Sequence, residues 1–378
     1  MSGDKEVMLV VGEASGDAYG AQLVRAMRER DPNVKIYGVA GEQLEKTAFE
    51  PLWNVSKLTG MGLGELAGNL GNIWHCYRLL IRTLKERRPH LLVLIDFPDF
   101  NLRLAKVARR LGIPVLYYVS PQIWAWRRRR VKQIARNVSR MAVIFPFEVA
   151  FYEKHGVPVT FVGHPLSDSV KVRESRDVIL RKLGFSPEQP TIVMLPGSRR
   201  REVEYHLPVM LRAAARLEQS RRIQFICVRA GTISADTIDA ITSSSNFRLT
   251  VASENRYDVI HAADLVWTAS GTATVETALL LKPMIIVYRL SPLTYAAAKH
   301  LVRVEHVGMA NLMAGKRVAP ELIQSQFTAE RLVRESEIIL DTAAIRESMV
   351  REWKKLKDRL TASGAAEKVA DLALATMA

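Results

Sequence analysis

The chain has 378 residues, of which 48% are hydrophobic and 25% are charged. These values are typical of globular proteins and exclude a disordered, collagen-like or low-complexity chain, and the length exceeds the ~150 residues of one ordinary domain. The 54 Lys and Arg residues outnumber the 39 Asp and Glu residues, and this net charge of +15 predicts an anionic partner: nucleic acid, anionic lipid headgroups or a phosphorylated substrate.

Short β-branched, apolar segments alternate with helical patterns along the chain. In the first half the predicted strands are Val7–Val11, Val34–Val39, Leu91–Ile95, Val115–Val119 and Met141–Phe145. The pattern restarts in the second half with Ile192–Leu195, Ile223–Val228, Leu249–Val251, Leu265–Trp267 and Met284–Val287. Strands that are apolar on both faces and separated by helices predict parallel sheets that are covered on both sides.

A polar, proline-bounded stretch between Gly163 and Pro190 separates the two series of strands. We place the domain junction there, with a first domain over residues 1–165 and a second over residues 166–344. The pattern is helical after Gln326, and the last helices, about 345–378, are candidates to cross back to the first domain. Each half opens with a strand, a glycine-bearing turn and a helix. The sequence therefore predicts an α/β fold of two Rossmann-like, doubly wound domains, with the active site in the cleft between them.

Cysteine use and apolar runs predict the compartment. Cys76 and Cys227 are the two cysteines, and their spacing frames neither a disulfide network nor a metal site, which predicts a reducing cytosol. The apolar run Val7–Val11 is too short for the core of a signal peptide, and no other run approaches the ~18 residues that cross a bilayer. We therefore expect a cytoplasmic protein without a membrane span.

The first glycine-bearing turn, Gly12–Asp17, brings backbone N–H groups at a helix start close to a ligand. Its glycine spacing differs from the dinucleotide fingerprint, and the second strand ends without the acid that holds a ribose, so no NAD site is expected. A Walker lysine–serine pair is absent as well. Two interpretations stay open: a ligand-binding turn, or a plain helix start capped by Ser15 or Asp17.

Two carboxylates, Asp96 and Asp99, follow the predicted strand Leu91–Ile95. Open α/β sheets keep their sites at the carboxyl ends of strands, so this is a candidate catalytic position. Asp96 is the better general-base candidate, because it directly follows apolar residues and is expected to be partly desolvated. Asp99 fits better as the N-cap of a helix that begins near Asn101.

Two turns in the second half are shaped to hold phosphate, Pro196–Arg199 and Ser270–Thr274. Free N–H groups and the helix dipole favour an anion by about 0.3–1 kcal/mol near the surface, and Arg199 adds a possible charge-assisted contact. Glu276 lies just over one helical turn after Gly271, where its carboxylate would accept hydrogen bonds from ribose hydroxyls. One glycine turn is more often structural, but two such turns and a spaced acid favour a site for a nucleotide diphosphate.

The segment Ser120–Arg130 combines Trp124 and Trp126 with the run Arg127–Arg130. Aromatic and guanidinium groups together bind bases, sugars or lipid phosphates. The alternative is a solvated helix start whose tryptophans pack in the core. The two interpretations are evenly balanced, because alternate residues can face opposite ways.

The segment Leu58–Leu70 is apolar and rich in glycine, and it leads into a helical pattern with one basic side. The basic residues are Arg78, Arg82, Lys85, Arg87 and Arg88. An apolar loop beside a basic helix is typical of a membrane-surface element, where each cation near an anionic leaflet contributes about 1 kcal/mol. The usual alternative is a helix with one face in the core and one in solvent. The positive net charge favours the membrane interpretation, with contacts at Met61, Leu63 and Leu66.

No metal or cofactor is expected. His164, between Gly163 and Pro165, follows a predicted strand near the domain junction, but the eight histidines show no metal-ligand spacing. The sequence also holds no Asp-x-Asp triplet, which disfavours a metal-bound nucleotide sugar.

Seven short motifs follow one another along the chain. They are Gly12–Asp17 (GEASGD), Ile95–Asn101 (IDFPDFN), Val119–Trp126 (VSPQIWAW), Gly163–Pro165 (GHP), Leu195–Arg199 (LPGSR), Ser270–Glu276 (SGTATVE) and Asn311–Gly315 (NLMAG). In this order they resemble the lipid-A-disaccharide synthase family over nearly the whole chain, and GEASGD and WAW are specific signatures.

The resemblance implies a GT-B glycosyltransferase that joins UDP-2,3-diacylglucosamine to 2,3-diacylglucosamine 1-phosphate, called lipid X. It implies inversion at the anomeric carbon, release of UDP and no metal, with Asp96 as the base on the acceptor's 6-hydroxyl. The implied UDP contacts are Gly197, Ser198, Arg199, Ser270, Gly271, Thr272 and Glu276. The implied donor and acceptor contacts are Glu13, Ser15, Asp17 and Asn311. The implied setting is lipid A biosynthesis, with peripheral attachment to the cytoplasmic face of the inner membrane.

Two rival functions make different demands on the sequence. A UDP-sugar epimerase of the same fold would share the nucleotide half but would need no apolar acceptor surface such as Leu58–Leu84. A nucleic-acid-binding protein would use Arg127–Arg130 and would bind DNA or RNA with strong salt dependence. No nucleic-acid module is recognised in the sequence, so transfer to a lipid acceptor is the preferred interpretation, with no nucleic-acid partner.

Overall fold

The structure, a computed structural model, describes residues 5–57, 65–121, 123, 128–243, 245, 247–291, 295, 305–360 and 364–377, without the side chains of residues 14, 57, 65–70 and 128. The chain forms two compact units. Unit 1 contains Met1–Asp168 and Leu360–Ala378, and unit 2 contains Ser169–Arg359. Each unit is built on a parallel sheet with helices between the strands, which confirms the predicted α/β class.

In the described residues, unit 1 has a sheet of seven parallel strands. They are β1 (Glu6–Val11), β2 (Lys35–Ala40), β3 (Glu50–Asn54), β4 (Leu91–Ile95), β5 (Val115–Tyr118), β6 (Arg140–Val143) and β7 (Val159–Phe161). Their spatial order is β3-β2-β1-β4-β5-β6-β7. The order reverses between β1 and β4, which pair directly from Val7 with Leu91 to Val11 with Ile95. Open α/β sheets bind ligands at the carboxyl ends of the strands at such a reversal point.

Helices connect the strands of unit 1. They are α1 (Ala14–Arg30), α2 (Glu42–Glu45), α3 (Glu65–Arg87), α4 (Pro98–Arg110), α5 (Val131–Asn137), α6 (Pro146–Glu153) and α7 (Leu166–Ser169), which ends one residue into unit 2. Every side chain of β4 is buried, and each buried leucine or isoleucine contributes about 1.5–3 kcal/mol to folding. The last helix of the chain packs on α1, and its Asp371 forms an ion pair with Arg30.

The described part of unit 2 has a second parallel sheet, of six strands. They are β8 (Thr191–Leu195), β9 (Gln224–Val228), β10 (Thr250–Ala252), β11 (Leu265–Ala269), β12 (Met284–Tyr288) and β13 (Glu321–Ile323). The spatial order is β10-β9-β8-β11-β12-β13, and it reverses between β8 and β11. The remaining helices are α8 (Arg176–Lys182), α9 (Arg200–Ser220), α10 (Ala235–Thr242), α11 (Arg256–Ala262), α12 (Thr272–Leu279), α13 (Met309–Ala314), α14 (Ala329–Asp341), α15 (Ala343–Leu360) and, in unit 1, α16 (Ala365–Met377).

The ten predicted strands are all present within one or two residues of their expected ends. The strands β3, β7 and β13 were not predicted from the sequence. All three lie at the edges of their sheets. An edge strand needs only one paired neighbour, and these segments are too short, or too polar, to form the apolar runs that reveal an interior strand.

After Gln326 the sequence predicts an apolar helical stripe formed by Ile338, Leu340, Ile345, Met349, Trp353, Leu356 and Leu360. The structure buries this stripe in the second half of α15 but not at its start in α14. Met349, Trp353 and Leu356 are buried in α15, whereas Ile338 of α14 is exposed and the next residue, Ile339, is buried in its place. Among the described residues, none of the helices combines the length and apolarity required to cross a membrane.

Candidate active site

The carboxyl ends of β1 and β4 form one edge of the candidate site in unit 1. The turn after β1 begins at Gly12, and the turn after β4 begins at Asp96 and Phe97. The two turns touch: a Cβ atom added at Gly12 would lie 2.1 Å from Cβ of Phe97. Only glycine leaves room for this approach, so Gly12 brings the first turn against Phe97, the residue that follows the predicted base.

Asp96 and Phe97 both have a φ of 50°, in the left-handed region. Non-glycine residues pay about 1–3 kcal/mol each for such a conformation, which persists only where the surroundings enforce it. Here the main-chain carbonyl of Asp96 accepts hydrogen bonds from the Tyr117 hydroxyl at 2.6 Å and from Nδ2 of Asn101 at 2.7 Å. The Phe97 ring also stacks on Phe100, with 5.2 Å between centroids.

A third strained residue follows β5, the next strand along this edge. Val119 has a φ of 63°, and a β-branched residue in the left-handed region is a genuine outlier. The following Ser120 is buried, and its Oγ lies 2.7 Å from the Tyr152 hydroxyl. Gln122 and Trp124–Arg127 lie outside the described residues. Strained residues thus cluster where the sheet ends, as they often do at active sites.

Asp99 does not cap its helix, contrary to the sequence interpretation. Helix α4 begins at Pro98, and its N-cap is Phe97. Asp99 therefore lies in the first turn, where it forms an ion pair with Arg130. The pair holds one arginine of the basic run at the first turn of α4.

The first turn also differs from its predicted capping. The N-cap of α1 is Glu13, without a side-chain capping bond, so neither Ser15 nor Asp17 caps this helix. The buried Asp17 carboxylate instead accepts N–H bonds from the segment that starts α2. The donors are Gly41 at 2.8 Å, Gln43 at 2.8 Å and Leu44 at 3.2 Å. Asp17 therefore holds α2 in place, whereas Glu13 and Ser15 are partly exposed.

The first glycine turn of unit 2 follows β8. Gly197 has a φ of +143°, a conformation that side chains rarely adopt, and an added Cβ would lie 2.5 Å from Cβ of Glu202. Oε2 of Glu202 accepts the Ser198 N–H at 3.1 Å, and Oε1 lies 3.8 Å from the Arg199 guanidinium. A carboxylate thus occupies donors of the turn that was predicted to bind phosphate, which shows that these groups suit an anion.

The second glycine turn follows β11, the neighbour of β8 in the sheet. Gly271 has a φ of +136°, and an added Cβ would meet no atom within 4 Å, so the turn faces open space. Ser270 Oγ donates a hydrogen bond to the Val307 carbonyl at 2.7 Å, and Thr272 is the first residue of α12. Because β8 and β11 pair in parallel, their glycine turns lie at the same edge of the sheet.

Glu276 is buried on α12 and already has partners. Its Oε2 accepts bonds from Nε of Arg256 at 3.1 Å and from Nη2 at 2.5 Å. Its Oε1 lies 3.4 Å from the Tyr257 hydroxyl, a long contact. Burial and the Glu276 charge raise the Tyr257 pKa, so the phenol keeps its proton. One oxygen of Glu276 is therefore fixed, and the other keeps capacity for a ribose hydroxyl.

Asn311 is fully buried, and all its hydrogen-bonding positions are used within unit 2. Nδ2 donates to the Ala319 carbonyl at 2.8 Å and to Glu321 at 2.9 Å, while Oδ1 accepts the N–H groups of Val318 and Ala319 at 2.9 Å. The predicted donor contact at this side chain has no support in this geometry. Asn311 instead joins α13 to the segment that leads into β13.

His206 is a buried residue of the site that sequence reasoning missed. Its Nδ1 lies 2.7 Å from the Pro196 carbonyl, and its Nε2 accepts the Arg289 N–H at 2.9 Å. Burial lowers its pKa to about 4, so the ring is neutral and Nδ1 carries the proton that Pro196 accepts. The imidazole thus joins the first glycine turn to the end of β12. No sequence motif marks it, because it lies inside the pattern of α9.

The predicted membrane contacts Met61 and Leu63, and the side chain of Leu66, lie outside the described residues. His164 is buried and structural: its Nδ1 accepts the Leu166 N–H at 3.2 Å, and burial lowers its pKa to about 3. Within the described part of the chain, no three His, Cys, Asp or Glu side chains come together as a metal site.

The two parallel sheets, each with one reversal of its strand order, define the class of two-domain proteins with the GT-B fold. UDP-GlcNAc 2-epimerase from Neisseria meningitidis, in a structure with UDP-GlcNAc bound, has a TM-score of 0.68 and 11% identity, covering 98% of this chain and 100% of that one. MurG from Acinetobacter baumannii has a TM-score of 0.58 and 16% identity, covering 98% and 99%. At these identities the similarity shows the fold alone.

The family follows from the sequence comparisons. The family model described as lipid-A-disaccharide synthetase matches residues 7–372. Lipid-A-disaccharide synthase of Geobacter metallireducens is 44% identical over 372 residues, covering 98% of this chain and 97% of the relative. The same-named protein of Nitrosococcus oceani is 41% identical, with 98% and 96% covered. The chain belongs to the lipid-A-disaccharide synthetase family of hexosyltransferases, which confirms the resemblance of its motifs.

Proposed function

We propose that this protein transfers 2,3-diacylglucosamine from its UDP conjugate to the 6-hydroxyl of lipid X, giving a tetraacyl β-1,6 disaccharide 1-phosphate and UDP. The observation that carries the proposal is the division of chemistry between the strand-end turns of unit 1 and those of unit 2 in a chain of this family. A carboxylate follows β4, and glycine turns that lead into helix N-termini follow β8 and β11. The first suits removal of a proton, and the second suits binding of a diphosphate.

Unit 2 supplies the proposed donor site. The diphosphate would bind at the N–H groups of Ser198 and Thr272, beside Gly197 and Gly271, and would draw Arg199 towards it. Glu202 now accepts the Ser198 N–H, so it must release that donor when the diphosphate binds. The ribose hydroxyls would bind Oε1 of Glu276, while Arg256 keeps Oε2 in place.

Unit 1 supplies the proposed base. Asp96 takes the proton of the acceptor's 6-hydroxyl while that oxygen attacks the anomeric carbon from the face opposite UDP. The new bond forms as the bond between the anomeric carbon and the UDP oxygen breaks, and UDP leaves with the electron pair, so the anomeric centre is inverted. Glu13 and Ser15 flank this position and are proposed as acceptor contacts. Asp17 is proposed as a support, because its carboxylate is already used by α2.

Negative charge that develops on the leaving diphosphate would be stabilised by the helix N-termini of unit 2 and by Arg199. These donors belong to the chain itself, so we expect turnover to survive EDTA. We also propose that residues 1–165 form the acceptor half and residues 166–344 the UDP-sugar half.

The direct test is UDP release from UDP-2,3-diacylglucosamine in detergent and EDTA, measured with and without lipid X. We expect release that requires lipid X. Equal release without the acceptor would indicate a hydrolase instead. No release from the folded protein would overturn the proposed transfer.

We further propose that the protein attaches peripherally to the cytoplasmic face of the inner membrane through α3 and the segment before it. Trp74 of α3 is 57% exposed, and the Arg78 guanidinium lies 4.5 Å from the centroid of its ring. Tryptophan beside cations suits the boundary between headgroups and acyl chains. Arg82 and Lys85 are exposed on the same helix.

Flotation with vesicles of phosphatidylethanolamine and phosphatidylglycerol tests the attachment. The triple variant Met61→Ser, Leu63→Ser, Leu66→Ser and the single variant Trp74→Ser are expected to float less than the native protein. Tyr205→Ser, at an exposed aromatic residue of unit 2, is the matched control. Unchanged flotation of both variants would contradict the membrane attachment and would show that α3 is an ordinary amphipathic helix.

A further inference from the structure

The main-chain carbonyl of Asp96 receives two donors from buried side chains. The Tyr117 hydroxyl lies 2.6 Å from this oxygen, and Nδ2 of Asn101 lies 2.7 Å from it. Both side chains are fully buried. Burial raises the Tyr117 pKa well above its ordinary value, and the nearby Asp96 charge acts in the same direction, so the phenol stays protonated and donates.

These two bonds fix the peptide plane that joins Asp96 to Phe97. The plane sets ψ of Asp96 and φ of Phe97, and both residues have a φ of 50°. The Phe97 side chain also packs closely against Gly12. A left-handed pair of this kind relaxes unless its surroundings enforce it, and the direction of the Asp96 side chain follows the main chain.

We propose that Tyr117 and Asn101 are positioning residues for Asp96: by holding its carbonyl, they aim its carboxylate at the acceptor hydroxyl. The inference rests on the proposed function of Asp96 as the base. Neither residue touches the substrate in this role. Loss of one donor leaves the other contacts of the turn in place but lets the Asp96 carboxylate move away from its direction towards the acceptor hydroxyl. A displacement of about 1 Å between reacting groups lowers the rate about a hundredfold.

The neighbouring tyrosine gives a matched control. Tyr118 follows Tyr117 on β5 and is equally buried, but its hydroxyl has no hydrogen-bond partner within the described part of the chain. Tyr117→Phe and Tyr118→Phe each remove one buried oxygen from the same strand. Only the first removes a bond to Asp96.

The first experiment compares kcat, KM and melting temperature for the two variants in detergent. Tyr117→Phe is expected to lower kcat about tenfold to a hundredfold. The KM for the UDP-sugar and the calorimetric affinity for UDP are expected to stay within about twofold of native, since unit 2 is untouched. Tyr118→Phe is expected to keep the native kcat. A similar loss in both variants, or a kcat loss matched by a large fall in melting temperature, would show a general packing role and overturn the inference.

A second variant tests whether both donors act through one carbonyl. Asn101→Ala removes the other donor, and the double variant Tyr117→Phe, Asn101→Ala completes a cycle. Two donors on one oxygen are coupled, so their effects on ln kcat are expected to be non-additive. Independent, multiplicative losses would overturn the shared positioning role.

The Asp96→Asn variant separates failure of the inference from failure of the proposed function. Native turnover of Asp96→Asn would show that Asp96 is not the base, and the positioning role of Tyr117 and Asn101 would then be overturned as well. Loss of turnover in Asp96→Asn together with native kcat in Tyr117→Phe would overturn the positioning role alone.

Discussion

The two sheets place different chemistry at the same topological position. Each strand order reverses once next to its first strand, between β1 and β4 in unit 1 and between β8 and β11 in unit 2. In unit 1 the turn after β4 carries non-glycine residues in the left-handed region, Asp96 and Phe97. In unit 2 the turns after β8 and β11 carry Gly197 and Gly271 at positive φ.

This difference shows how one fold serves two tasks. Glycine adopts positive φ without strain and leaves backbone N–H groups accessible to an anion, so a phosphate turn needs little support from side chains. A base must project a carboxylate, and a carboxylate on a left-handed residue needs a support that enforces the conformation. Tyr117 and Asn101 provide bonds of that kind in unit 1.

The largest expected effect comes from removing the carboxylate in unit 1. Asp96→Asn keeps the size of the side chain but cannot take a proton, and general-base catalysis contributes about 10²–10⁴-fold. We expect kcat to fall by about that factor while the UDP affinity of unit 2 stays native, as measured by UDP release and calorimetry. Asp99→Asn, at the carboxylate that forms an ion pair with Arg130, is the matched control. An active, folded Asp96→Asn protein would remove Asp96 from the mechanism.

Two alanine substitutions test whether the units separate the two tasks. Gly12→Ala would place Cβ 2.1 Å from Phe97, and Gly197→Ala would place it 2.5 Å from Glu202 at a φ of +143°. We expect the first to lower kcat at least about tenfold with native UDP affinity, and the second to lower UDP affinity at least about tenfold.

Gly231→Ala is the control for these glycines, because an added Cβ meets nothing within 4 Å and no positive φ is required. Melting temperatures identify any variant that fails to fold. Loss of UDP affinity in Gly12→Ala, with native affinity in Gly197→Ala, would contradict the division of tasks.

A smaller effect is expected from the ribose contact in unit 2. Glu276→Ala removes the carboxylate oxygen proposed to bind ribose hydroxyls, and hydrogen bonds to charged groups contribute about 1.5–3 kcal/mol. We therefore expect UDP affinity to fall about tenfold to a hundredfold by calorimetry, with native kcat at saturating donor. Glu330→Ala, at an exposed carboxylate paired with Arg216, should bind UDP normally. Native UDP affinity in Glu276→Ala would exclude the ribose contact and leave Glu276 with a structural role in its ion pair with Arg256.

The sequence predicts the sheets and the location of the turns well, because both depend on local patterns. Apolar runs identify the interior strands, and glycine after a strand identifies Gly197 and Gly271. It does not predict which polar side chains are available. Asp17 and Asn311 lie in specific motifs, yet their polar atoms bind backbone groups of other segments.

Sequence patterns also fail to identify Tyr117 and His206, the buried side chains that support the site, for the same reason. In the sequence Tyr117 is one residue of the apolar pattern of β5, and its proposed function depends on the Asp96 carbonyl, which lies 21 residues away in the chain. His206 fits the helical pattern of α9, but its ring joins Pro196 to Arg289, and Arg289 lies 83 positions after His206 in the chain. Such contacts exist only once the parallel strands place distant segments side by side.

The smallest expected effect is a pH dependence of stability, which arises from one buried histidine in each unit, His164 in unit 1 and His206 in unit 2. Burial lowers the pKa of His206 to about 4 and that of His164 to about 3, from an ordinary value of 6.5. Between pH 6.5 and these values the unfolded chain binds protons that the folded chain does not. The free energy of unfolding is therefore expected to fall as pH falls through this window, by up to about 1.4 kcal/mol per pH unit for each histidine.

Denaturant unfolding at pH 7, 6 and 5 measures this slope. His206→Gln and His164→Gln are each expected to flatten it, because glutamine binds no proton in either state, whereas exposed His155→Gln serves as the control. The two variants also differ in function: His206→Gln weakens a bond to the phosphate turn, so it should lower UDP affinity severalfold, and His164→Gln should not. A native slope in both variants would contradict the burial of neutral imidazoles. Equal UDP affinity in both variants would show that His206 does not support UDP binding through the first glycine turn of unit 2.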